Sequence, residues 1–191
     1  MLKKLWQKPL YGGTRKWLAA LGLIVGWAQR YETEELVISF YSDAPLEKIT
    51  AENRGGCFGW IDFATDSVYV RVWMRGFSFP NKLMERHFNE IYVESDKYPY
   101  AYFRGRLVAP FPYTQPGTYA VSAKGVMEIH GVRRQEVLSG LYEVKPDGRL
   151  RLTGRFFLHP ADYGVKVPTL LWQQIAKQVE VSFHAIYRAS Q

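Results

Sequence analysis

Residues 67–75 read SVYVRVWMR, and their alternation decides the fold class. Apolar side chains occupy every second position, from Val68 to Met74, while tyrosine, arginine and tryptophan occupy the positions between them. Successive side chains of a β-strand point to opposite faces of its sheet, so this period of two predicts a strand with one buried face. The turn-forming residues Thr65-Asp66-Ser67 at its start predict a hairpin connection.

Runs of strand-like sequence recur along most of the chain. Short connections such as Pro116-Gly117 and Pro146-Asp147-Gly148 separate them, as in hairpins. The runs lie at 36–40, 57–63, 67–75, 100–108, 119–127, 132–145, 150–156 and 179–185. About eight strands allow an antiparallel sheet to close into a barrel that can hold one small ligand. We therefore expect an all-β, antiparallel eight-stranded barrel. A two-sheet sandwich is the alternative, because alternation does not report closure.

Two segments carry helical patterns instead. One begins after Asn81, whose side chain can cap a helix, and extends to about Tyr92; the other spans 170–177 and follows Pro168. One or two short helices are therefore expected beside the strands. In the first of them, one apolar face is predicted to consist of Leu83, Met84, His87, Phe88 and Ile91.

His87 lies between two acids, Glu85 and Glu90, which raises the question of a metal or catalytic site. On a helix Glu85 falls on the side opposite His87, so the three side chains cannot converge. The other histidines lack the spacing of metal ligands on one element, and Cys57 in its apolar setting is expected to be a small buried residue. We expect no metal site and no catalytic residue, with His87 anchoring a cap over the barrel through hydrogen bonds.

The N-terminal segment has the pattern of a secretory signal peptide. Residues 1–28 hold five lysines or arginines and no acid, and they end in an apolar run at 18–28. We predict cleavage after Ala28, a mature domain over 29–191 and a periplasmic or secreted location. The net charge then falls from +7 to 7 − 5 = +2, so nucleic acid is not an expected partner. An uncleaved anchor is disfavoured because the apolar run spans only roughly 16 Å as a helix, against about 30 Å of hydrocarbon. A buried N-terminal helix stays open.

Three sequence blocks, taken in order, resemble the YceI-like family. They are SDKYPYAYF at 95–103, GVMEIHGV at 125–132 and HPADYGV at 159–165, followed by a closing strand. The resemblance covers about residues 36–188 and implies an exported, lipocalin-like barrel that binds a polyisoprenoid lipid. The acidic-histidine segment before the Tyr-Pro block takes a variant form here, and Met127-Glu128 replaces the usual leucine-threonine pair. Because these departures lie near the expected barrel entrance, ligand identity is not carried over.

The interior of such a barrel is expected to hold a long lipid tail, with a polar headgroup near the mouth. The candidate tail contacts are inward apolar residues, namely Val70, Val72, Met74, Phe103, Val121, Ala123, Met127, Leu152, Phe156, Val181 and Phe183, with Phe77, Phe79, Leu83 and Phe88 closing one end. Small inward residues such as Ala123 and Gly154 are expected to leave volume for this guest. No cofactor is expected, and the ligand would be a polyisoprenoid or other long-chain lipid, with an isoprenoid quinone among the candidates.

Three functional hypotheses stay open. The first is a non-enzymatic lipid-binding protein. Such a protein could also contact the membrane or an envelope protein transiently, and it could form a homodimer. The second is an envelope interaction or structural protein whose filled barrel presents Trp60, Tyr69 and Trp73 to a partner. The third is a hydrolase or isomerase that gathers histidines and carboxylates from several strands. Ordinary core packing explains each inward apolar residue as well as ligand contact does, so the sequence does not separate the first hypothesis from the second.

Overall fold

The structure, a computed structural model, describes residues 30–43, 48–166 and 176–190. The predicted signal peptide, residues 1–28, therefore lies outside the described residues. The described strands are β1 (Arg30–Asp43), β2 (Lys48–Asn53), β3 (Cys57–Asp62), β4 (Ser67–Trp73), β5 (Tyr100–Leu107), β6 (Gly117–Ile129), β7 (Val132–Val144), β8 (Leu150–Leu158) and β9 (Val179–Ala189). All of them pair antiparallel in a single sheet, so the predicted all-β class is confirmed.

The sheet closes on itself because β1 pairs with β9 along most of its length. On its other side β1 pairs with β3 over residues 30–32 and with β2 over residues 38–43. β2 and β3 therefore share one position in the wall, and the strands form a closed eight-stranded antiparallel barrel. The predicted barrel is confirmed, and the sandwich alternative is wrong.

A buried amide holds the junction between β2 and β3. Asn53 is fully buried; its Nδ2 donates to the carbonyl oxygen of Trp73, and its Oδ1 accepts from the backbone N–H of Gly56, both at 2.8 Å. A Cβ atom added to Gly76 would lie 2.7 Å from Nδ2 of Asn53, so this close approach requires glycine. The junction thereby fixes the 3-10 turn Met74–Gly76, which leads from β4 towards the cap of the barrel.

The cap is a short helix, α1 (Lys82–His87), which continues into one π-helical turn over Phe88–Tyr92. Asn81 is its N-cap as predicted, because its side chain accepts a hydrogen bond from the N–H of Leu83 at 2.8 Å. The second predicted helix, over 170–177, falls largely outside the described residues. No helix in the described ranges is long and apolar enough to span a bilayer.

Aromatic side chains pack the end of the barrel opposite α1. Phe63 stacks on Tyr113 with ring centroids 3.9 Å apart, and Phe111 stacks on Tyr142 at 5.0 Å. Tyr31, at the start of β1, packs edge-on against Phe63. Burial raises the pKa of Tyr142 well above its ordinary value. This end of the interior is therefore filled by side chains, and open space lies nearer α1.

Candidate functional site

A cavity of about 280 Å³ lies inside the barrel. Its lining comes from α1 and from every strand except β3, and it is almost entirely aliphatic or aromatic. No aspartate, glutamate, lysine or arginine of the described ranges lines it. A charged group placed there would lose its hydration without gaining a partner, whereas an apolar group would gain from leaving water. The cavity is therefore suited to an apolar guest.

The structure places nearly all of the predicted tail contacts in this lining. They are Val70, Val72, Met74, Phe77, Phe79, Phe88, Phe103, Val121, Ala123, Met127, Leu152, Phe156, Val181 and Phe183. Leu83 is the exception: it is 48% exposed and does not line the cavity. Its neighbour Met84 lines the cavity instead. The face of the cap that points into the barrel is formed by Met84 and His87 of α1 and by Phe88, which follows α1.

A histidine joins the three sequence blocks at the α1 end of the barrel. His130 Nε2 lies 2.7 Å from the Glu94 carboxylate and its Nδ1 lies 3.2 Å from the carbonyl oxygen of Tyr163. Both partners are acceptors, so the ring makes both hydrogen bonds at once only when both nitrogens donate. The ring also meets Tyr98 edge-on, with centroids 4.5 Å apart. Burial raises the pKa of Tyr163, and its hydroxyl donates to Glu136 at 3.0 Å, which raises the pKa further.

Several solved structures resemble this chain at low sequence identity. No protein-family model matches it, and no curated protein does so. A polyisoprenoid binding domain from Saccharophagus degradans, implicated in plant cell wall breakdown, matches with a TM-score of 0.73 at 14% identity, over 86% of this chain and 99% of that one. BcnA of Burkholderia cenocepacia matches with a TM-score of 0.65 at 14% identity, over 79% and 95%. A mutant YceI protein of Campylobacter jejuni with a monobromobimane guest matches with a TM-score of 0.51 at 13% identity, over 69% and 78%.

The chain has the YceI-like fold. The resemblance carried by the three sequence blocks is thereby confirmed at the level of the fold. His130 and Tyr163, which belong to two of those blocks, act in this YceI-like barrel as structural contacts between loops. Glu94 and His130 both adopt positive φ angles, of 44° and 51°, and such angles persist where surrounding contacts hold them.

The predicted set of tail contacts omits part of the lining. β1 contributes Leu36, Ile38 and Phe40, whose alternation in the sequence was the available signal. The cap contributes His87 and Tyr92, which also line the cavity. No periodicity shows where a helix docks on a barrel, so these cap residues could not be assigned to the interior from the sequence.

Gly154 does not leave free volume, contrary to expectation. A Cβ atom added there would lie 2.3 Å from Cζ of Phe183 and 2.7 Å from the carbonyl oxygen of Ser139. The ring of Phe183 therefore occupies the space that the missing side chain leaves. Ala123 does line the cavity, so its short side chain does leave room there.

Within the described residues, nothing supports the expectation that His87 anchors the cap of the YceI-like barrel through hydrogen bonds. His87 lines the cavity, and its side chain makes no hydrogen bond or ion pair with the residues that the structure describes. Aromatic contacts hold the cap instead: the ring centroid of Phe88 lies 5.7 Å from Phe40, 5.6 Å from Phe77 and 5.0 Å from Phe79. Pairs of this kind contribute about 0.5–1.5 kcal/mol each beyond area burial.

Cys57 and the possible metal ligands are the other reactive groups of the described residues. Burial raises the pKa of the Cys57 thiol to about 12, so the nucleophilic thiolate is scarce at neutral pH. Within the described ranges no three histidine, cysteine, aspartate or glutamate side chains are grouped so that they could hold a metal ion. The apolar cavity is therefore the candidate functional site.

Proposed function

We propose that this chain is an exported protein of the YceI-like family that holds one polyisoprenoid or other long-chain lipid inside its barrel. The observation that carries the proposal is the apolar cavity of about 280 Å³. The solved polyisoprenoid binding domain with the same fold supports an isoprenoid as the guest. The basic and apolar pattern of residues 1–28 supports export.

The binding free energy that this function needs is modest. Each buried apolar carbon contributes ~0.8 kcal/mol, so three isoprene units contribute roughly 12 kcal/mol. An association cost of about 4 kcal/mol, at the low end of its range, leaves roughly 8 kcal/mol and a micromolar Kd. The cavity volume lies just below the ~300–1,000 Å³ usual for small-molecule sites, so it suits one slender tail better than a bulky group.

The test is native mass spectrometry of the protein purified from a bacterial periplasm without detergent, followed by organic extraction. Ala123→Phe places a ring in the cavity, whereas Ala120→Phe changes the same residue type on the outer face of the same strand. We expect a stoichiometric long-chain lipid on the wild type and on Ala120→Phe, and none on Ala123→Phe. A ligand-free wild type that also refuses added polyprenol would overturn the proposal and favour an interaction protein with a filled barrel.

We also infer that the protein is not an enzyme. The ring nitrogens of His130 lie within hydrogen-bond distance of Glu94 and of the backbone of Tyr163, which supports a structural role. His87 faces an apolar cavity whose described lining contains no carboxylate to orient it. A hydrolase or isomerase activity that His87→Ala abolishes while the fold stays intact would contradict this inference.

A further inference from the structure

β7 and β8 separate before they reach the α1 end of the barrel. Their pairing runs from Val144↔Leu150 to Gly140↔Gly154 and stops there, although β7 begins at residue 132 and β8 ends at residue 158. Among the described residues, the remaining parts of these strands pair only with their other neighbours, β6 and β9. The strand pairing therefore has a gap between 132–139 and 155–158. The buried Tyr163, in the 3-10 turn Pro160–Tyr163, packs at this gap, and its hydroxyl donates to Glu136 of β7 at 3.0 Å.

Apolar side chains lie on both faces of this gap. Leu138 and Phe156, just beyond the last pair, line the cavity. The next residues, Val137 and Phe157, point the other way and are 57% and 59% exposed. Leu141, also on the outer face of β7, is 51% exposed.

Cations border these exposed apolar side chains. Lys124 lies opposite Val137 in the β6–β7 register, and Arg106 lies opposite Lys124 in the β5–β6 register. Both cations are exposed, and neither has an acidic partner within the described ranges. Arg155 lies 3.8 Å from Glu180 on β9. Like charges directly opposite each other on neighbouring strands repel, so an external anion would stabilise Arg106 and Lys124.

We propose that this outer surface docks on an anionic lipid bilayer. The docking face consists of Arg106, Lys124, Val137, Leu141, Arg155 and Phe157. Exposed apolar side chains flanked by cations suit the bilayer interface, because the apolar groups enter the acyl boundary while lysine and arginine meet anionic headgroups. The gap in the strand pairing lies within this face, so a lipid tail would pass between bilayer and cavity without crossing water when Tyr163 moves aside. The route of transfer rests on the proposed function, whereas docking itself does not.

Vesicle flotation of the purified chain tests the docking face. Mass spectrometry identifies the N terminus of each protein, which must be identical in the wild type and in every variant. Vesicles of phosphatidylcholine with 30% phosphatidylglycerol are compared with phosphatidylcholine alone. The face variants are Val137→Ser with Phe157→Ser, and Arg106→Glu with Lys124→Glu. Leu83→Ser and Lys48→Glu are single-substitution controls of the same residue chemistry, because these residues are also exposed but lie on α1 and β2.

We expect the wild type and both controls to float with the anionic vesicles, and each double variant to lose at least about tenfold in partitioning. Each cation near an anionic surface is worth about fivefold, and each valine or phenylalanine side chain that enters the acyl boundary is worth at least as much. Equal partitioning onto both vesicle types, or double variants that float like the controls, would overturn the docking face. A second assay, in which cyclodextrin delivers the lipid to the protein without a bilayer, separates lipid binding from membrane docking. Double variants that bind it normally but extract it slowly from anionic vesicles support docking and transfer. Failure of every protein to bind it refutes the proposed function and the transfer route, while flotation still decides docking.

Discussion

Asn53→Ala removes the amide that joins β2, β3 and the turn after β4. In the folded protein this fully buried side chain donates to the carbonyl oxygen of Trp73 and accepts from the N–H of Gly56, both at 2.8 Å. The substitution leaves these two backbone groups without that partner, and each such loss costs about 1–3 kcal/mol. We therefore expect the free energy of unfolding to fall by roughly 3 kcal/mol, which lowers the Tm by roughly 6–12 °C in a chain of this size.

A second substitution isolates this contact, because Gly76 faces the same amide. Gly76→Ala should cost about 1–3 kcal/mol in the wild type by overpacking, since its Cβ would lie 2.7 Å from Nδ2 of Asn53. In the Asn53→Ala background the same change should cost nearly nothing. Urea denaturation followed by tryptophan fluorescence measures all four proteins, with Gly55→Ala as the control because nothing lies within 4 Å of its added Cβ. Additive effects within about 0.5 kcal/mol would refute the reasoning.

Three further predictions follow from buried contacts. Gly125→Ala should lower the unfolding free energy by about 3 kcal/mol or prevent folding, because its Cβ would lie 2.3 Å from a carbonyl oxygen of the next strand; Gly55→Ala should be neutral in the same urea titration. Native Cys57 should react with a disulfide reagent at pH 8 at least about 100-fold more slowly than in the urea-unfolded chain, since burial raises its pKa to about 12. The folded protein keeps this thiol neutral, so its contribution to the free energy of unfolding is complete below the ordinary thiol pKa of 9.0. That contribution declines as the pH rises towards 12, because only the unfolded chain loses the proton there. His130→Ala should cost roughly 2 kcal/mol by thermal melting, and Glu94→Gln should cost less because its side-chain oxygen still accepts.

Local rules were sufficient for most of the barrel wall. The alternation at 67–75 predicts both the strand and its inward face, because burial acts on each side chain of a strand separately. The cap helix was also predictable, since Asn81 bonds to a backbone N–H only two residues away. The break between β2 and β3 was not, because it depends on Asn53 meeting a carbonyl 20 residues away. The same limit applies to Leu83 and Met84, whose exposure is decided by how α1 docks.

The space left inside a barrel depends on the side-chain volumes of neighbouring strands taken together. Gly154 on β8 suggested free space, and Phe183 on β9 fills it, so neither strand alone reports the outcome. At the packed end, Phe111 and Tyr113 come from the connection between β5 and β6, where alternation carries no information. The cavity is consequently bounded where Phe111 stacks on Tyr142. A lipid tail that occupies it would enter from the α1 end or, in the proposed docking, between β7 and β8.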